Sequence, residues 1–491
     1  MKQIDLPPFA PTLVESMRAI GYSLETAIAD IIDNSIAAKA RNIAICFSPE
    51  QDSYVTIIDD GEGLAGKDLT RAMQHGSRNP NDSRSSSDLG RFGLGLKTAS
   101  LSQCRQLTVV SCRDGSLSAR RWDLDVIIRT GRWTLLSLDA SEISRVPHIE
   151  QLRAAGQGTL VEWRSMDRLG AGETSLAEAL GEGMLRVRSH LALVFHRFLS
   201  DELPAERLAI SINGNPIKPA DPYLEKNKGT QKLPEDIFEI EGTTVHVQPF
   251  ILPHYSRMSE REKELAAGED GLLGRQGFYV YRGRRLIIGG TWFRLAPREE
   301  LTKLARVRVD IPNTLDHLWT LDIKKSVVNP PAEVRANLQR TVERIIGSSK
   351  RVFRFRGRPT QPGKTVHIWQ RIEDREGIYY RINRDHPLLS ALSSLVGVDG
   401  DDALQPILRE IEHTFPVEAL YVDMGSDAQR VRQRTDYTLE ELSALASEML
   451  KACDEDDLVR ATLLSNLPTI EPFSFNPDAA REIAARVRDV Y

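Results

Sequence analysis

Apolar and polar positions recur with helical spacing at the start of the chain. The stretches "TLVESMRAI" and "SLETAIADIIDNSIAAKA" place apolar residues every three or four positions, which predicts two helices separated at Gly21. Ser23 is expected to cap the second helix, with Thr26 three positions further on. The next apolar runs, "NIAICF" and "YVTIID", are short and predict strands. The chain therefore begins with helices that are followed by a sheet.

Further strand and helix patterns continue to about residue 350. Strands are predicted at "LTVVSC", "SARRWDL", "RWTLLSL" and "GTLVEWRSM", and the helical run "EGMLRVRSHLALVFHRFL" is expected to close a first domain near residue 200. Asn213-Gly214 is a favoured tight-turn dipeptide, and its hairpin is expected to open a second domain. Strands at "TTVHVQPFIL" and "GFYVYRGRRLII" and a helix at "PAEVRANLQRTVERIIGSSK" give this second domain an α+β pattern.

A chain of 491 residues is too long for one ordinary core. We predict a first domain over residues 1–200 and a basic second domain over 201–350. A linker rich in basic residues, Pro and Gly is expected over 351–364, followed by a small mixed domain over 365–491. The predicted fold class is α+β.

Composition excludes few functions, but charge is unevenly distributed. The net charge is −5, yet residues 271–359 hold roughly nineteen basic against seven acidic residues. This favours a surface for a polyanion, with a solvated basic face as the alternative. No run of about 18 apolar residues predicts a membrane span, and the start does not resemble a secretory signal. The four dispersed cysteines fit a reducing cytoplasm and argue against a disulfide framework or structural zinc.

Two glycine motifs are candidates for a nucleotide site. The first, Asp59-x-Gly61-x-Gly63, follows a predicted strand and can also be read as a capped turn. The second runs from Gly90 to Lys97 as "GRFGLGLK" and enters a predicted helix. Glycines let backbone N–H groups approach an anion, while the helix N-terminus and the lysine add positive charge. A tight helix–sheet contact is the alternative reading of this second motif.

The third candidate lies on the predicted second helix. Asp30 and Asn34 are four residues apart and so share a helix face. A carboxylate and a carboxamide side by side can hold a water and a hard cation, with Asn34 as an oxygen ligand for Mg²⁺ and Asp30 polarising the water. A polar stripe on a surface helix is the alternative, but the surrounding isoleucines leave little arc for solvent.

The order and spacing of these three motifs resemble the GHKL superfamily of ATPases, which comprises gyrase, the heat-shock chaperone, histidine kinases and MutL. "LGRFGLGLKTASLS" and "AIADIIDNSI" are most similar to bacterial MORC-like proteins. The resemblance implies a Bergerat-type α/β sandwich that binds ATP and Mg²⁺. It also implies a ribosomal-protein-like transducer as the second domain, and a lid over residues 66–90.

The resemblance also implies roles for individual residues. Asp59 would accept the adenine amine, and Asn34 would coordinate Mg²⁺. Asp30 would be the general base. Asp33 would be a polar neighbour near the adenine end, with a local structural role as the alternative. The remaining nucleotide contacts would come from the residues Gly61, Gly63, Gly90, Phe92, Gly93, Leu94, Gly95, Leu96, Lys97, Thr98 and Thr159.

Two positions depart from the family pattern. The family base is usually Glu, and Asp30 is one methylene shorter, about 1.5 Å of reach. A shorter base would slow hydrolysis unless the helix lies closer to the nucleotide. Ala37 replaces an Asp that the family often carries, which removes one expected polar contact near the nucleotide.

A lysine of the second domain would contact the γ-phosphate in this family. "LWTLDIKKSVVNPP" is the place where it is expected, with Lys325 preferred and Lys324 as the alternative. Both lysines can also be read as part of the basic surface.

The resemblance implies an ATP-dependent homodimer that acts as a clamp. The basic 271–358 region would engage double-stranded DNA non-specifically through phosphates, and the C-terminal domain would bind partner proteins or mask the basic surface. Bacterial MORC-like proteins suggest a role in restriction or anti-phage defence. A nucleotide-locked scaffold without turnover and a heat-shock-type chaperone are the alternatives. A sensor kinase is disfavoured, because only about 25 residues precede the first motif.

Overall fold

The computed structural model divides the chain into two compact units, residues 1–352 and 353–491, each described here by itself. It describes residues 8–19, 21–50, 52–74, 95–169, 175–268, 270–299, 302–315, 319, 330–354, 365–373, 378–417, 419–420, 431, 435–451, 453 and 457–488. Across these ranges, no helix combines the length and the apolar composition needed to cross a bilayer.

The first sheet has eight strands in the order β5-β4-β3-β6-β2-β1-β7-β8. Its strands are β1 Asn42–Ser48, β2 Tyr54–Asp59, β3 Gln106–Arg113, β4 Ser116–Asp123, β5 Leu136–Ser137, β6 Gly158–Arg164, β7 Ala209–Ile212 and β8 Asn215–Pro216. The four central pairs are antiparallel and each is in continuous register; they are β4–β3, β3–β6, β6–β2 and β2–β1. Asp59 therefore faces Thr159 at the end of the β2–β6 pair.

Helices surround this sheet and supply most of its core. They are α1 Ala10–Arg18, α2 Leu24–Ala37, α3 Gly66–Met73, α4 Gly95–Gln103, α5 Leu124–Thr130, α6 Ala140–Ile143, α7 Ile149–Ala155, α8 Leu176–Val194 and α9 His196–Leu199. Ile28, Ile31 and Ile32 of α2 are buried in the core, as their spacing predicts. The predicted cap is confirmed, because the Thr26 N–H donates to Ser23 Oγ at 3.4 Å. The core thus holds α2 firmly, with its polar residues beside the sheet end.

The hairpin at Asn213-Gly214 forms as predicted, but it belongs to the first sheet. Both turn residues have positive φ, and β7 pairs in parallel with β1 from Asn42↔Ala209 to Ile45↔Ile212. The hairpin therefore extends the first sheet instead of opening the second domain, and that sheet ends beyond residue 200. Long-range pairing decided this placement, and the local hairpin signal carries no information about it.

A second sheet follows within the same unit. It has six strands, ordered β10-β11-β14-β12-β13 with β9 beside β11. They are β9 Gln231–Lys232, β10 Asp236–Ile240, β11 Thr243–Ile251, β12 Gly277–Arg282, β13 Arg285–Thr291 and β14 Ala305–Ile311. The helices of this part are α10 Glu260–Ala267, α11 Gly271–Gly274 and α12 Ala332–Arg354. The predicted late helix is confirmed, although α12 runs four residues into the expected linker at 351–364.

The C-terminal unit combines a hairpin with helices. Its elements are β15 Trp369–Glu373, β16 Ile378–Ile382, α13 Pro387–His413, α14 Leu439–Lys451, α15 Asp457–Asn466 and α16 Pro477–Arg488. Leu442, Ala446 and Phe473 lie in its separate apolar core. The mixed α/β fold class predicted from the sequence is therefore confirmed for the chain.

Candidate nucleotide site

The α2 helix presents one buried and one exposed polar side chain. Asp30 is buried, and its Oδ2 accepts a hydrogen bond from the Tyr22 hydroxyl at 3.2 Å. A Cβ atom placed at Gly95 would lie 3.7 Å from the same oxygen, so the carboxylate lies beside the first turn of α4. Asn34 is exposed, and its Nδ2 donates to the Asp30 backbone carbonyl at 2.9 Å. This leaves the Asn34 carbonyl oxygen for another partner.

Asp33 has a partner that the sequence did not indicate. Its Oδ1 accepts from Nε of Arg285 at 2.7 Å, and both side chains are buried. Arg285 is the first residue of β13, in the second sheet. Asp33 therefore forms an ion pair to another part of the fold, and its position near the adenine end stays a prediction.

Asp59 lies at the centre of a buried hydrogen-bond network. Its Oδ2 accepts from Ser35 Oγ at 2.7 Å, while Oδ1 accepts from the backbone N–H groups of Gly61 at 3.0 Å and Thr159 at 3.2 Å. Burial raises the pKa of the Asp59 carboxyl, and these three donors oppose that rise. The network fixes a carboxylate at the end of β2, where sequence reasoning found Asp59 and Thr159 but missed Ser35.

Glycines around Asp59 are required by close backbone approach. A Cβ at Gly158 would lie 2.0 Å from the Asp59 carbonyl oxygen, and one at Gly63 would lie 2.0 Å from the Cys112 carbonyl oxygen. Both residues also have positive φ. Gly61 is tight as well, with Ala38 O at 2.8 Å from its hypothetical Cβ. The "DGEG" motif therefore packs the loop after β2 directly against the end of α2 and the β3–β6 pair.

The serine of β3 extends this network. The Leu64 N–H donates to Ser111 Oγ at 2.7 Å, and Ser111 Oγ lies 3.2 Å from the Gly158 carbonyl oxygen and 3.4 Å from Thr159 Oγ1. Thr159 thus takes part through both its backbone and its hydroxyl, as expected of a residue next to Asp59. No sequence pattern identified Ser111 as part of the site.

Helix α4 carries the described part of the second glycine motif. Lys97 is buried, and its Nζ donates to the carbonyls of Ala72 at 2.8 Å and Gln74 at 2.9 Å, at the end of α3. Burial lowers the pKa of Lys97 to about 8. In this structure the ammonium therefore joins α4 to the end of α3, the first helix of the expected lid.

The other expected phosphate contacts are divided between described and undescribed residues. Gly95 and Leu96 form the first turn of α4. Thr98 follows with a buried hydroxyl that has no hydrogen-bond partner among the residues the structure describes. Gly90, Phe92, Gly93 and Leu94, most of the lid at 66–90, and both Lys324 and Lys325 lie outside the described residues.

Much of the basic segment is turned inward. Arg282, Arg285 and Arg306 are buried, so these three cannot contact DNA phosphates in this fold. Arg306 donates to the carbonyls of Lys303 at 2.8 Å and Ala266 at 3.1 Å. The prediction that the basic 271–358 region forms a surface for DNA is therefore wrong for these three arginines, because their side chains are buried in the fold.

Comparison with known proteins identifies a protein family that the part of the chain bearing this site resembles. Residues 22–159 match the family described as histidine kinase-, DNA gyrase B-, and HSP90-like ATPase. This part of the chain therefore matches the GHKL class, and the resemblance predicted from its motifs is confirmed.

Within that class, the chain is similar to a MORC protein. It is 32% identical over 95 residues to ATPase morc-1 of Caenorhabditis elegans, a match that covers 19% of this chain and 11% of that relative. A solved structure described as the N-terminal domain of a DNA repair protein aligns with a TM-score of 0.42 and 12% identity. That alignment covers 70% of this chain and 99% of the other.

Proposed function

We propose that this protein is a Mg²⁺-dependent ATPase in which Asp30 is the general base for slow hydrolysis. The supporting observation is the convergence of three features around α2. Asp59 and its donors lie at one end of the helix, the exposed Asn34 lies between, and Asp30 lies beside the first turn of α4. The motifs that are dispersed in sequence therefore surround one helix.

The described residues fit a Mg-nucleotide. Asp59 offers a buried acceptor, and the glycines next to it let the surrounding backbone pack closely around that carboxylate. The Thr98 hydroxyl, which has no hydrogen-bond partner in the described part of the chain, and the start of α4 favour an anion. Asn34 supplies one oxygen ligand, which suits an ion that keeps several waters and phosphate ligands. When bound, Mg²⁺ would neutralise phosphate charge.

A phosphate-release assay tests this proposal. The wild type should release phosphate slowly, and Asp30→Ala should reduce the rate to background while a fluorescent ATP analogue still binds. Equal rates in the wild type and in Asp30→Ala would contradict the proposal.

A nucleotide-locked scaffold is the second candidate. It is favoured by one observation, which is that the Asp30 carboxylate already contacts Tyr22 and Arg285. In that case the wild type would bind ATP and release no phosphate above the Asp30→Ala background.

We further propose that ATP binding closes a homodimer and that this clamp engages double-stranded DNA. Among the described residues of the basic segment, the exposed arginines include Arg294, Arg298, Arg335 and Arg340, and we name the first three the loop arginines. None of the three forms an ion pair with another residue that the structure describes. Arg335 donates to the Phe293 carbonyl at 3.0 Å and Arg298 to the Gly290 carbonyl at 2.7 Å, so both lie around one loop.

DNA binding can be tested by changing the three loop arginines together to glutamine. Each lost phosphate contact should reduce the slope of log K against log salt by about 0.9. Arg344→Gln is the control. Arg344 lies on α12, as Arg335 does, but its guanidinium pairs with Asp236 at 2.5 Å. Unchanged affinity and salt slope in the triple variant would refute this surface.

The remaining parts of the proposal have separate grounds. A role in restriction or anti-phage defence rests on the resemblance to MORC-like proteins, a cytoplasmic location on the dispersed cysteines, and partner proteins for the C-terminal unit on its acidic helices. Light scattering with and without a non-hydrolysable ATP analogue tests the dimer: the mass should double only with the analogue. A constant mass would contradict the clamp.

A further inference from the structure

The side chain of Arg285 connects the second sheet to the candidate catalytic helix. Arg285 follows a tight turn in which Gly283 and Arg284 both have positive φ, and it pairs with Arg282 across the hairpin. Its guanidinium reaches both acidic residues of α2. Nε donates to Asp33 Oδ1 at 2.7 Å, and Nη2 forms an ion pair with Asp30 Oδ1 at 3.6 Å.

Two groups hold the Asp30 carboxylate from different directions. The Tyr22 hydroxyl donates to Oδ2, whereas Arg285 lies next to Oδ1. The Tyr22 hydrogen bond orients Oδ2, and the positive charge of Arg285 attracts Oδ1 from 3.6 Å, so both oxygens have a favourable neighbour. Fixed orientation matters more for a short base, since an aspartate has fewer rotatable bonds with which to reach its water.

Burial makes this contact energetically demanding. Arg285, Asp33 and Asp30 are all less than 10% exposed. Removing one member of a buried ionic cluster leaves an uncompensated charge. Moving the Arg285 side chain away would therefore strongly destabilise the cluster. The position of the β12–β13 hairpin and the geometry of the α2 acids are therefore coupled.

We infer that Arg285 is a positioning residue for ATP hydrolysis, holding Asp30 through direct contact and through Asp33. A displacement of the second sheet would then change the position of the Asp30 carboxylate, because Arg285 connects the two. The inference rests on the proposed hydrolysis, and it assigns a role to an arginine that charge patterning alone assigns to DNA.

The test compares Arg285→Gln, Arg285→Lys and the control Arg284→Gln in phosphate release without DNA. Arg284 occupies the same turn but contacts Glu206 and the Phe198 ring instead of α2. Arg285→Gln should lower kcat at least tenfold and change the ATP analogue Kd less than threefold. Arg285→Lys should retain an intermediate kcat, because it keeps the charge but loses the planar fork. Arg284→Gln should match the wild type.

A double variant separates positioning from general stability. Asp30→Ala already reduces turnover to background, so the double variant is followed by its melting temperature and its ATP analogue Kd. Adding Arg285→Gln should lower the melting temperature through the loss of the Asp33 pair and change the Kd less than threefold. If Arg285→Gln is too unstable to assay, Arg285→Lys answers the same question.

The outcomes distinguish the two proposals. A wild type without turnover overturns the proposed hydrolysis, and the positioning role with it. A wild type with turnover that Arg285→Gln and Arg285→Lys both retain in full overturns only the positioning role. Loss of kcat and of ATP analogue binding by the same factor would also overturn it, because Arg285 would then act on binding.

Discussion

Replacing Asp59 by asparagine should separate ATP binding from folding. Asparagine has nearly the same shape as aspartate and can satisfy the same neighbours. Its Oδ1 can accept from the Gly61 and Thr159 N–H groups, and its Nδ2 can donate to Ser35 Oγ. Ser35 Oγ also lies 3.4 Å from the Ile31 carbonyl oxygen, so its hydroxyl proton has a second acceptor when it no longer donates to residue 59.

The direction of the stability change follows from the pKa. Burial raises the pKa of Asp59 above its value in the unfolded chain. The folded protein therefore holds the proton more tightly, so this group's stabilising contribution is present at low pH and is lost as pH rises through the native pKa. Each pKa unit corresponds to about 1.4 kcal/mol. Asp59→Asn should accordingly be at least as stable as the wild type at pH 7, and the difference should shrink as pH is lowered.

Asp59→Asn should weaken nucleotide binding strongly, in contrast to its neutral or favourable effect on stability. A buried hydrogen bond to a charged acceptor contributes about 1.5–3 kcal/mol, and the amide could present an N–H group where the adenine amine needs an acceptor. This corresponds to a loss of roughly 10- to 150-fold in Kd. Urea unfolding at pH 5 to 8 and titration with a fluorescent ATP analogue measure the two quantities.

Two results would refute this reasoning. A loss of more than about 2 kcal/mol at pH 7 would mean that the Asp59 charge is required for the turn itself, as the capped-turn alternative holds. Unchanged affinity for the analogue in a folded Asp59→Asn protein would mean that Asp59 is not the adenine acceptor.

Two further substitutions test the packing around the site. Gly158→Ala should cost at least about 3 kcal/mol in unfolding free energy, because its Cβ would lie 2.0 Å from a carbonyl oxygen, whereas Gly156→Ala, at positive φ in open space, should cost about 1 kcal/mol. Equal melting temperatures for the two variants would contradict this. Lys97→Met should speed amide exchange at the C-terminal end of α3, where Lys97 holds two carbonyls, and the exposed control Lys67→Met should not. Equal exchange in both lysine variants would show that this contact does not order the helix end.

Local signals predicted most of the fold. The spacing of Ile28, Ile31 and Ile32 identified α2, and the apolar runs at "NIAICF" and "YVTIID" gave β1 and β2, because burial on one face leaves a periodic record in sequence. The sheet that receives the β7–β8 hairpin was not predictable in this way. Its partner β1 lies far away in the chain, and a hairpin turn specifies only the two strands that it joins.

The candidate site was predictable where residue type and chemistry coincide. Asp59, Asn34 and Asp30 stand in recognisable motifs, whereas Ser35 and Ser111 are ordinary serines until the fold brings them to the network. Arg285 is separated from Asp33 by 252 positions, and its sequence context is a run of arginines. A count of charged residues predicts that such arginines lie on the surface, because the count contains no information on burial or ion pairing.

The parallel pairing of β7 with β1 has a consequence for synthesis of the chain. The ribosome must add residues up to Ala209 before the Asn42 end of β1 can acquire its second neighbour. At about 5–20 residues per second, this takes roughly 10–30 s. During that interval β1 is a sheet edge with unpaired backbone groups, and such edges readily pair with other chains. Fragments that end near residue 200 would keep this edge permanently, so we expect them to aggregate, while fragments that continue past β8 should remain dispersed.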